Sequence, residues 1–298
     1  MKYNILFIGA GNIAKAIEVT LKSNKDVVMN FWDKMEGKVK DQKPLDLLVP
    51  QADVIILCIN SWFMREAIAS IMPMLKKNTI LISVAKGIED TTGLWMDELL
   101  EEVLTNDQPY GLLSGPMIAK ELSEGRGGAA VYASKDMEPF KSMVSKIFIN
   151  PNFKVEYSSD PSGVAMSGVL KNVYAMGLGI ADGLDLGSNI KGWLTMQSIK
   201  EMMAIVQKLG GRAETVLGPA GFGDFIATGF SPYSKNHTLG HELAQTGAFT
   251  QKSEGYSSLP QLVKKLNFQT KDFPTLHRLR LIVMENAPVK ETFESIWR

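Results

Sequence analysis

A lysine stands in the middle of an apolar, small-residue stretch, SGVAMSGVLKNVYAMGLGIADGL, and its presence there needs a reason. Lys171 lies four residues after Ser167 and four before Ala175, so on a helix it shares the small-residue face. A lysine on a buried face usually has a partner or a task. The chemistry such a group performs is general acid–base work or electrostatic anchoring. The plainer alternative is a stem lying along the helix with its ammonium in water. Two further segments combine polar groups with glycine in ways a plain core does not need. One is Ser83-Val84-Ala85-Lys86-Gly87, where a lysine ends a buried strand. The other is Gly221-Phe222-Gly223-Asp224-Phe225, followed by Thr228 and by Ser234-Lys235-Asn236.

A second kind of chemistry is written near the N-terminus. Gly9-Ala10-Gly11-Asn12-Ile13-Ala14 fits G-x-G-x-x-G/A. The first glycine permits a tight turn, the second lets backbone approach a pyrophosphate, and the small last residue lets helix and strand pack closely. The helix start then offers unpaired N–H groups and a positive dipole end. The context is the required one, since the motif follows a strand and opens a helix; a glycine-rich turn with only a structural role is the competing reading. Asp33 follows the second strand, where an acid accepts hydrogen bonds from the ribose hydroxyls and repels a 2′-phosphate, favouring NAD over NADP. Lys34 could instead pair with that phosphate, and a solvated turn carrying both charges is the bland alternative. Asn60-Ser61-Trp62-Phe63 follows the next strand, at the carboxyl edge where ligands bind. Phe63 could wall the cofactor there or cap the core.

The elements that must position these groups form an alternation. Met1–Ile8 and VVMNFW read as strands, with a helix AKAIEVTLKS between them. Asp53–Ile59 is a continuous apolar run, as in a strand buried on both faces of a parallel sheet. A helical REAIASIMPMLKK and a buried TILISVA follow, then strand-like YGLLSG, GAAVYAS and NFKVEYSS. EDTTGLWMDELLEEVL reads as an acidic, solvated helix face with an apolar stripe. From about Asp160 the patterns are helical. The fold class expected is α/β: a Rossmann doubly wound, mostly parallel sheet over 1–160, then an all-helical substrate domain over 161–298.

Bulk properties exclude several classes. The formal net charge is zero, which gives no support for nucleic-acid or membrane-surface binding. No apolar run approaches the roughly 20 residues of a membrane span, and no signal region opens the chain, so a cytoplasmic protein is expected. The single cysteine, Cys58, lies in an apolar strand and reads as a buried structural thiol. With three histidines (His237, His241, His277) and no zinc spacing, no metal site is expected.

In order along nearly the whole chain, SVAKGIE, LLSGPMIAKEL, LKNVYAMGLGIADGLDLGSNIKG and GPAGFGDFIATGFSPYSKN resemble the cytosolic NAD(P)-dependent glycerol-3-phosphate dehydrogenases. The resemblance implies interconversion of dihydroxyacetone phosphate and sn-glycerol 3-phosphate by hydride transfer at C2, with NAD or NADP as cofactor and a homodimeric assembly. It implies Lys171 as proton donor and acceptor, Lys86 in contact with both substrate and cofactor, and Asp224 and Thr228 in the substrate site. Ser234, Lys235 and Asn236 fall where the family holds the substrate phosphate, with Lys235 also toward the cofactor. Gly115 and Met117 fall at substrate positions, and Ala119 and Glu254 at cofactor positions.

The sequence departs from the family pattern at several places. Lys235 replaces an arginine, exchanging a rigid fork for a point charge. Met117 stands where a small hydroxyl residue is usual. Ala165, Ser188 and Gln197 replace a glutamate, an aspartate and an arginine. These departures keep two other readings open: a related reductase of another small anionic ketone, and a nucleotide-binding homologue with little catalysis.

Overall fold

The computed structural model describes residues 2–104 and 108–296. Two compact units emerge: 1–89 with 94–162, and 90–93 with 163–298.

The first unit is built on a seven-stranded sheet. Its strands are β1 (Tyr3–Ile8), β2 (Val27–Trp32), β3 (Val54–Leu57), β4 (Ile80–Ser83), β5 (Tyr110–Ser114), β6 (Gly128–Ala133) and β7 (Phe153–Ser158). The spatial order is β2-β1-β3-β4-β5-β6-β7. The first five run parallel, β6 is antiparallel to β5, and β7 is parallel to β6. β3 and β4 are buried throughout, as their unbroken apolar runs require of central parallel strands. The expected run Asp53–Ile59 is a strand over Val54–Leu57, and at its start the Asp53 carboxylate accepts from the Asn4 N–H at 2.9 Å. Cys58 is buried, and burial lifts its thiol far above the ordinary range, so it is inert packing.

The order reverses at β1, which pairs with β2 on one side and β3 on the other. The ends of β1 and β2 are in register, with Ile8 opposite Trp32. Gly9 and Asp33 therefore leave the sheet at the same edge, at a switch point of the kind where doubly wound sheets bind ligands.

The acidic stretch after β4 differs from its expected form. Only Met96–Val103 is helical, and Glu89 and Asp97 are buried rather than solvated. Burial pushes the Asp97 carboxyl above the ordinary range. The residues before the helix instead close a loop: Ile88 bridges Trp95, and the Glu89 N–H donates to the Leu94 carbonyl at 3.0 Å.

The second unit is helical. Its spine is Pro161–Gly183, followed by Gly187–Lys208, Asp224–Gly229, Lys235–Thr246, Glu254–Lys265, Pro274–Glu285 and Val289–Glu294. By length and composition Pro161–Gly183 could cross a membrane, contrary to the expectation that no run is long enough. Of its most apolar 18-residue window, 94% is buried inside the protein, which makes it a core helix. Its small residues let another backbone come close. A Cβ at Gly179 would overlap the His237 carbonyl, and one at Gly240 the Met176 carbonyl, so Pro161–Gly183 and Lys235–Thr246 meet backbone to backbone. Helix Pro274–Glu285 escapes the periodicity reading because charged residues interrupt its apolar positions, although Pro274 marks its first turn. Its first turn is held by the buried Glu201, which accepts from the N–H groups of Thr275 (2.9 Å) and Leu276 (3.1 Å) and from the Tyr174 hydroxyl (2.9 Å). Gln197, where the family pattern has arginine, donates to that carboxylate at 3.0 Å.

The crossing at Gly179 yields a test. Gly179→Ala drives a methyl into backbone that cannot rotate away, so a loss of about 3 kcal/mol is expected, at the upper end for overpacking. A thermal midpoint equal to that of the parent would show that the helices separate without loss.

Candidate active site

In the first unit the fingerprint residues form one cradle. Gly9 has φ +93°, and a Cβ there would lie 2.5 Å from the Cys58 carbonyl oxygen, so both conformation and space require glycine. Gly11 is the reverse case: a Cβ there meets nothing within 4 Å. That open space faces the start of helix Asn12–Leu21, which no side chain caps. Asn12 is exposed at this end, Ile13 is half-buried against the core, and Ala14 is fully buried beneath the helix. Uncapped first-turn N–H groups beside open space are what a pyrophosphate needs, so the residues present fit a dinucleotide.

Asp33 closes the cradle. Its Oδ2 accepts from the Ala10 N–H at 2.7 Å and its Oδ1 from the Met35 N–H at 2.9 Å. Gln42 clamps the same turn, accepting from the Asp33 N–H at 2.8 Å and donating to its carbonyl at 3.0 Å. Each carboxylate oxygen retains a lone pair for a ribose hydroxyl. Lys34 turns outward and pairs with Glu66 at 2.6 Å on the surface. Trp62 and Phe63 are exposed after β3, in edge-to-face contact with ring centroids 6.0 Å apart.

Two strands away, Lys86 and Gly115 meet. The Lys86 Nζ donates to the Gly115 carbonyl at 3.0 Å. Gly115 has φ +154°, and a Cβ would lie 2.5 Å from the Ala129 carbonyl oxygen. Met117 packs into the hydrophobic core of this unit, and Ala119 opens the short helix Ala119–Ser123 against that core.

In the second unit, Lys171 lies inside, with its side chain 7% exposed. Its Nζ donates to Thr228 Oγ1 at 2.8 Å and pairs with Asp224 Oδ2 at 3.1 Å, while the Thr228 hydroxyl donates to Asp224 Oδ1 at 3.1 Å. Thr228 follows Asp224 by one turn on Asp224–Gly229, so both present one face to Lys171. The buried ammonium, carboxylate and hydroxyl each meet the other two.

One residue on, the Asn172 Oδ1 accepts from Asn236 Nδ2 at 2.8 Å, and its own Nδ2 donates to Glu254 Oε2 at 3.4 Å. Asn236 Oδ1 accepts from the Gly255 N–H at 2.9 Å. Asn172, which stands out in the sequence as half of a Lys-Asn pair but is not among the candidate site residues, thus joins two that are. Its signal was available: a second polar residue beside Lys171 in an apolar helix. The segment Ser234-Lys235-Asn236 divides at the start of its helix. Ser234 is the N-cap, accepting from the His237 N–H at 3.2 Å. Lys235 is exposed, and Asn236 points inward. Behind them Asp182 pairs with Lys191 at 2.8 Å and His237 at 2.7 Å. Among the described residues no three His, Cys, Asp or Glu side chains gather as a metal-holding group.

A glycine-rich cradle on a doubly wound sheet, followed by a helical unit with a buried, ion-paired lysine, has the form of a nicotinamide-dependent oxidoreductase. Residues 6–139 match the family model described as NAD-dependent glycerol-3-phosphate dehydrogenase N-terminus, and residues 160–294 match that of the C-terminus. The chain belongs to the NAD-dependent glycerol-3-phosphate dehydrogenase family. An NAD(P)+ glycerol-3-phosphate dehydrogenase of Syntrophotalea carbinolica is 36% identical, over 97% of this chain and 95% of that protein. One of Acinetobacter baylyi is 33% identical over 85% and 72%. Among solved structures, glycerol-3-phosphate dehydrogenase of Coxiella burnetii shares the fold with a TM-score of 0.87 at 23% identity, covering 100% of this chain and 99% of that one. A ketopantoate reductase of Ralstonia eutropha shares it more distantly, with a TM-score of 0.59 at 14% identity over 99% and 100%.

The Asp182 cluster predicts a pH signature. Burial pulls the Asp182 carboxyl upward, but hydrogen bonds from Lys191 and His237 outweigh it and hold the group below its ordinary range. A depressed carboxyl adds stability above its unfolded pKa and loses it as pH falls through the folded value. Asp182→Asn should therefore melt below the parent at pH 7, with the gap closing as pH falls below about 4. Melting curves between neutral pH and pH 3 read this directly; a constant gap removes the charge from the account.

Proposed function

We propose that this chain interconverts dihydroxyacetone phosphate and sn-glycerol 3-phosphate with a nicotinamide dinucleotide. The observation that carries the reading is the buried Lys171 ammonium held by Asp224 and Thr228. Bound nicotinamide supplies or accepts the hydride at C2. Lys171 Nζ donates a hydrogen bond to the C2 oxygen as charge builds there, then gives it the proton. Asp224 and Thr228 hold the ammonium in a fixed orientation. In the oxidative direction Lys171 takes the hydroxyl proton back.

The remaining roles follow the family positions. Lys86 and Gly115 contact the substrate, with Lys86 also reaching the cofactor, and Met117 contributes shape from beneath. Ser234, Lys235 and Asn236 serve the substrate phosphate: Lys235 from its exposed position can swing to the anion, while Asn236 sets the helix start. Gly9, Gly11, Asn12 and Ile13 form the pyrophosphate cradle, Asp33 and Lys34 the ribose end, and Phe63 a hydrophobic wall. Ala119, Lys235 and Glu254 complete the cofactor contacts. The functional division assigns 1–160 to the dinucleotide and 161–298 to the substrate. A cytoplasmic location and a homodimer accompany the reading.

NAD is the preferred cofactor. In support, an acid after the second strand of such a sheet favours ribose hydroxyls over a 2′-phosphate, and the competing cation, Lys34, is engaged by Glu66.

The assay is oxidation of NADH by dihydroxyacetone phosphate, followed at the reduced-cofactor absorbance band. Lys171→Ala should lower kcat by about 10² to 10⁴. Full activity in that variant would sink the acid–base assignment, and an inactive parent protein would sink the substrate. Asp33→Asn retains an acceptor for the Ala10 N–H and removes the charge. It should raise NADPH use relative to NADH by about tenfold; an unchanged ratio would mean the carboxylate does not select.

A further inference from the structure

We propose that Lys191 is a positioning residue that ties together the two ends of the turn leading into Ser234-Lys235-Asn236, and so sets how that segment meets the substrate phosphate. The inference rests on the phosphate role given to that segment above.

The turn Phe230–Ser234 joins helix Asp224–Gly229 to helix Lys235–Thr246. Within it, the Tyr233 N–H donates to Ser231 Oγ at 3.2 Å and the Ser234 N–H to the Ser231 carbonyl at 3.2 Å. Local bonds of this kind fix the shape of a turn and leave its placement to contacts with other elements. One cation reaches both ends. The Lys191 Nζ lies over the Phe230 ring, 4.6 Å from its centroid, where the negative face of the ring attracts it. The same Nζ stands 2.8 Å from each oxygen of the Asp182 carboxylate. Asp182 Oδ2 in turn meets His237 Nε2 at 2.7 Å. His237 lies in the first turn after Ser234 and donates its N–H to the Ser234 Oγ at 3.2 Å. Phe230 is thus linked to His237 through Lys191 and Asp182, across the mouth of the turn.

The strap stands on rigid supports. Asp182 is in the last turn of Pro161–Gly183, the helix that carries Lys171, and Lys191 is near the start of Gly187–Lys208. The side chains of Lys191 and His237 are only 17% and 16% exposed, so water screens their attraction to Asp182 less than on an open surface. The backbone of His237 is packed against Gly179, which leaves Phe230, 48% exposed, as the end with the thinner support. The phosphate segment is in this way referred to the same helix as the acid–base lysine. A three-carbon substrate has a fixed distance between its C2 oxygen and its phosphate. Holding the groups for both ends on one base keeps them at one separation, which saves the ordering that binding would otherwise require.

The test separates positioning from general scaffolding. Lys191→Met keeps the length of the side chain and removes its charge. In the assay above it should raise KM for dihydroxyacetone phosphate about fivefold, the scale of one lost cation–aromatic contact that preorganises a loop. Its kcat and its KM for NADH should stay within about twofold, since no group on the reacting atoms is lost. Lys191→Arg can pair both carboxylate oxygens and stack on the ring, so its KM should lie within about twofold of the parent. Parental KM in Lys191→Met overturns the proposal, as does an arginine variant as poor as the methionine one. If Lys191→Met does not fold, Phe230→Leu removes the ring face at an exposed position and should raise KM about threefold; parental KM there overturns the proposal. A readout independent of turnover is hydrogen exchange followed by peptide mass spectrometry. Backbone N–H groups in 230–234 should exchange severalfold faster in Lys191→Met than in the parent or Lys191→Arg, and equal rates in all three overturn the proposal. Lys235→Ala tests the phosphate role separately. Parental KM in that variant would defeat that role and still leave the exchange rates to decide the hold of Lys191 on the turn.

Discussion

An ammonium group held inside an apolar helix is the constraint from which the rest of the helical unit follows. Asp224 and Thr228 reach the Lys171 ammonium from a separate short helix and give its charge a buried carboxylate and a hydroxyl. Removing Asp224 would break a buried ion pair, which is far more damaging than such a pair is stabilising. The neighbouring asparagines extend the same logic. Asn172 and Asn236 satisfy each other and bring in Glu254 and Gly255, so two helix starts are registered against the centre of Pro161–Gly183. Polar groups that could do chemistry are thereby fixed on rigid helices by bonds among themselves.

The close helix crossing supports that arrangement. Glycines at 179 and 240 let Pro161–Gly183 and Lys235–Thr246 approach until backbone touches backbone. The tight approach brings Asn236 within reach of Asn172, and His237 within reach of Asp182. The small-residue character of this segment is thus first a packing feature. Its chemistry depends on it, because a hydrogen-bond network tolerates little displacement.

The sheet unit solves a different problem by a different means. Its candidate cradle is made of backbone, from the open face at Gly11 and the uncapped helix start, with one carboxylate, Asp33, tying the glycine loop to the end of β2. Charge enters sparingly. Lys86 is directed by Gly115, and the buried Glu89 is matched by Arg65. A chain of zero formal charge thus still fixes individual cations at defined places in its fold.

Much of this was legible in the chain itself. The glycine fingerprint depends on contiguous residues, so its geometry is local and the sequence encodes it directly. The unbroken apolar runs marked β3 and β4 for the same reason, and the odd position of Lys171 marked a helix with a buried, paired charge. The resemblance to glycerol-3-phosphate dehydrogenases rested on such contiguous blocks, and both halves of the chain match that family. What only the tertiary structure decided were partners distant in sequence and directions that a residue type does not specify. Glu89 gave no sign of pairing with Arg65, nor Glu201 of holding the start of Pro274–Glu285. Lys235 turns to solvent while its neighbour Asn236 turns inward, because successive helix positions are about 100° apart and only the packed face fixes which is which. Periodicity records which residues avoid water; the crossing of one element over another determines which buried charges meet.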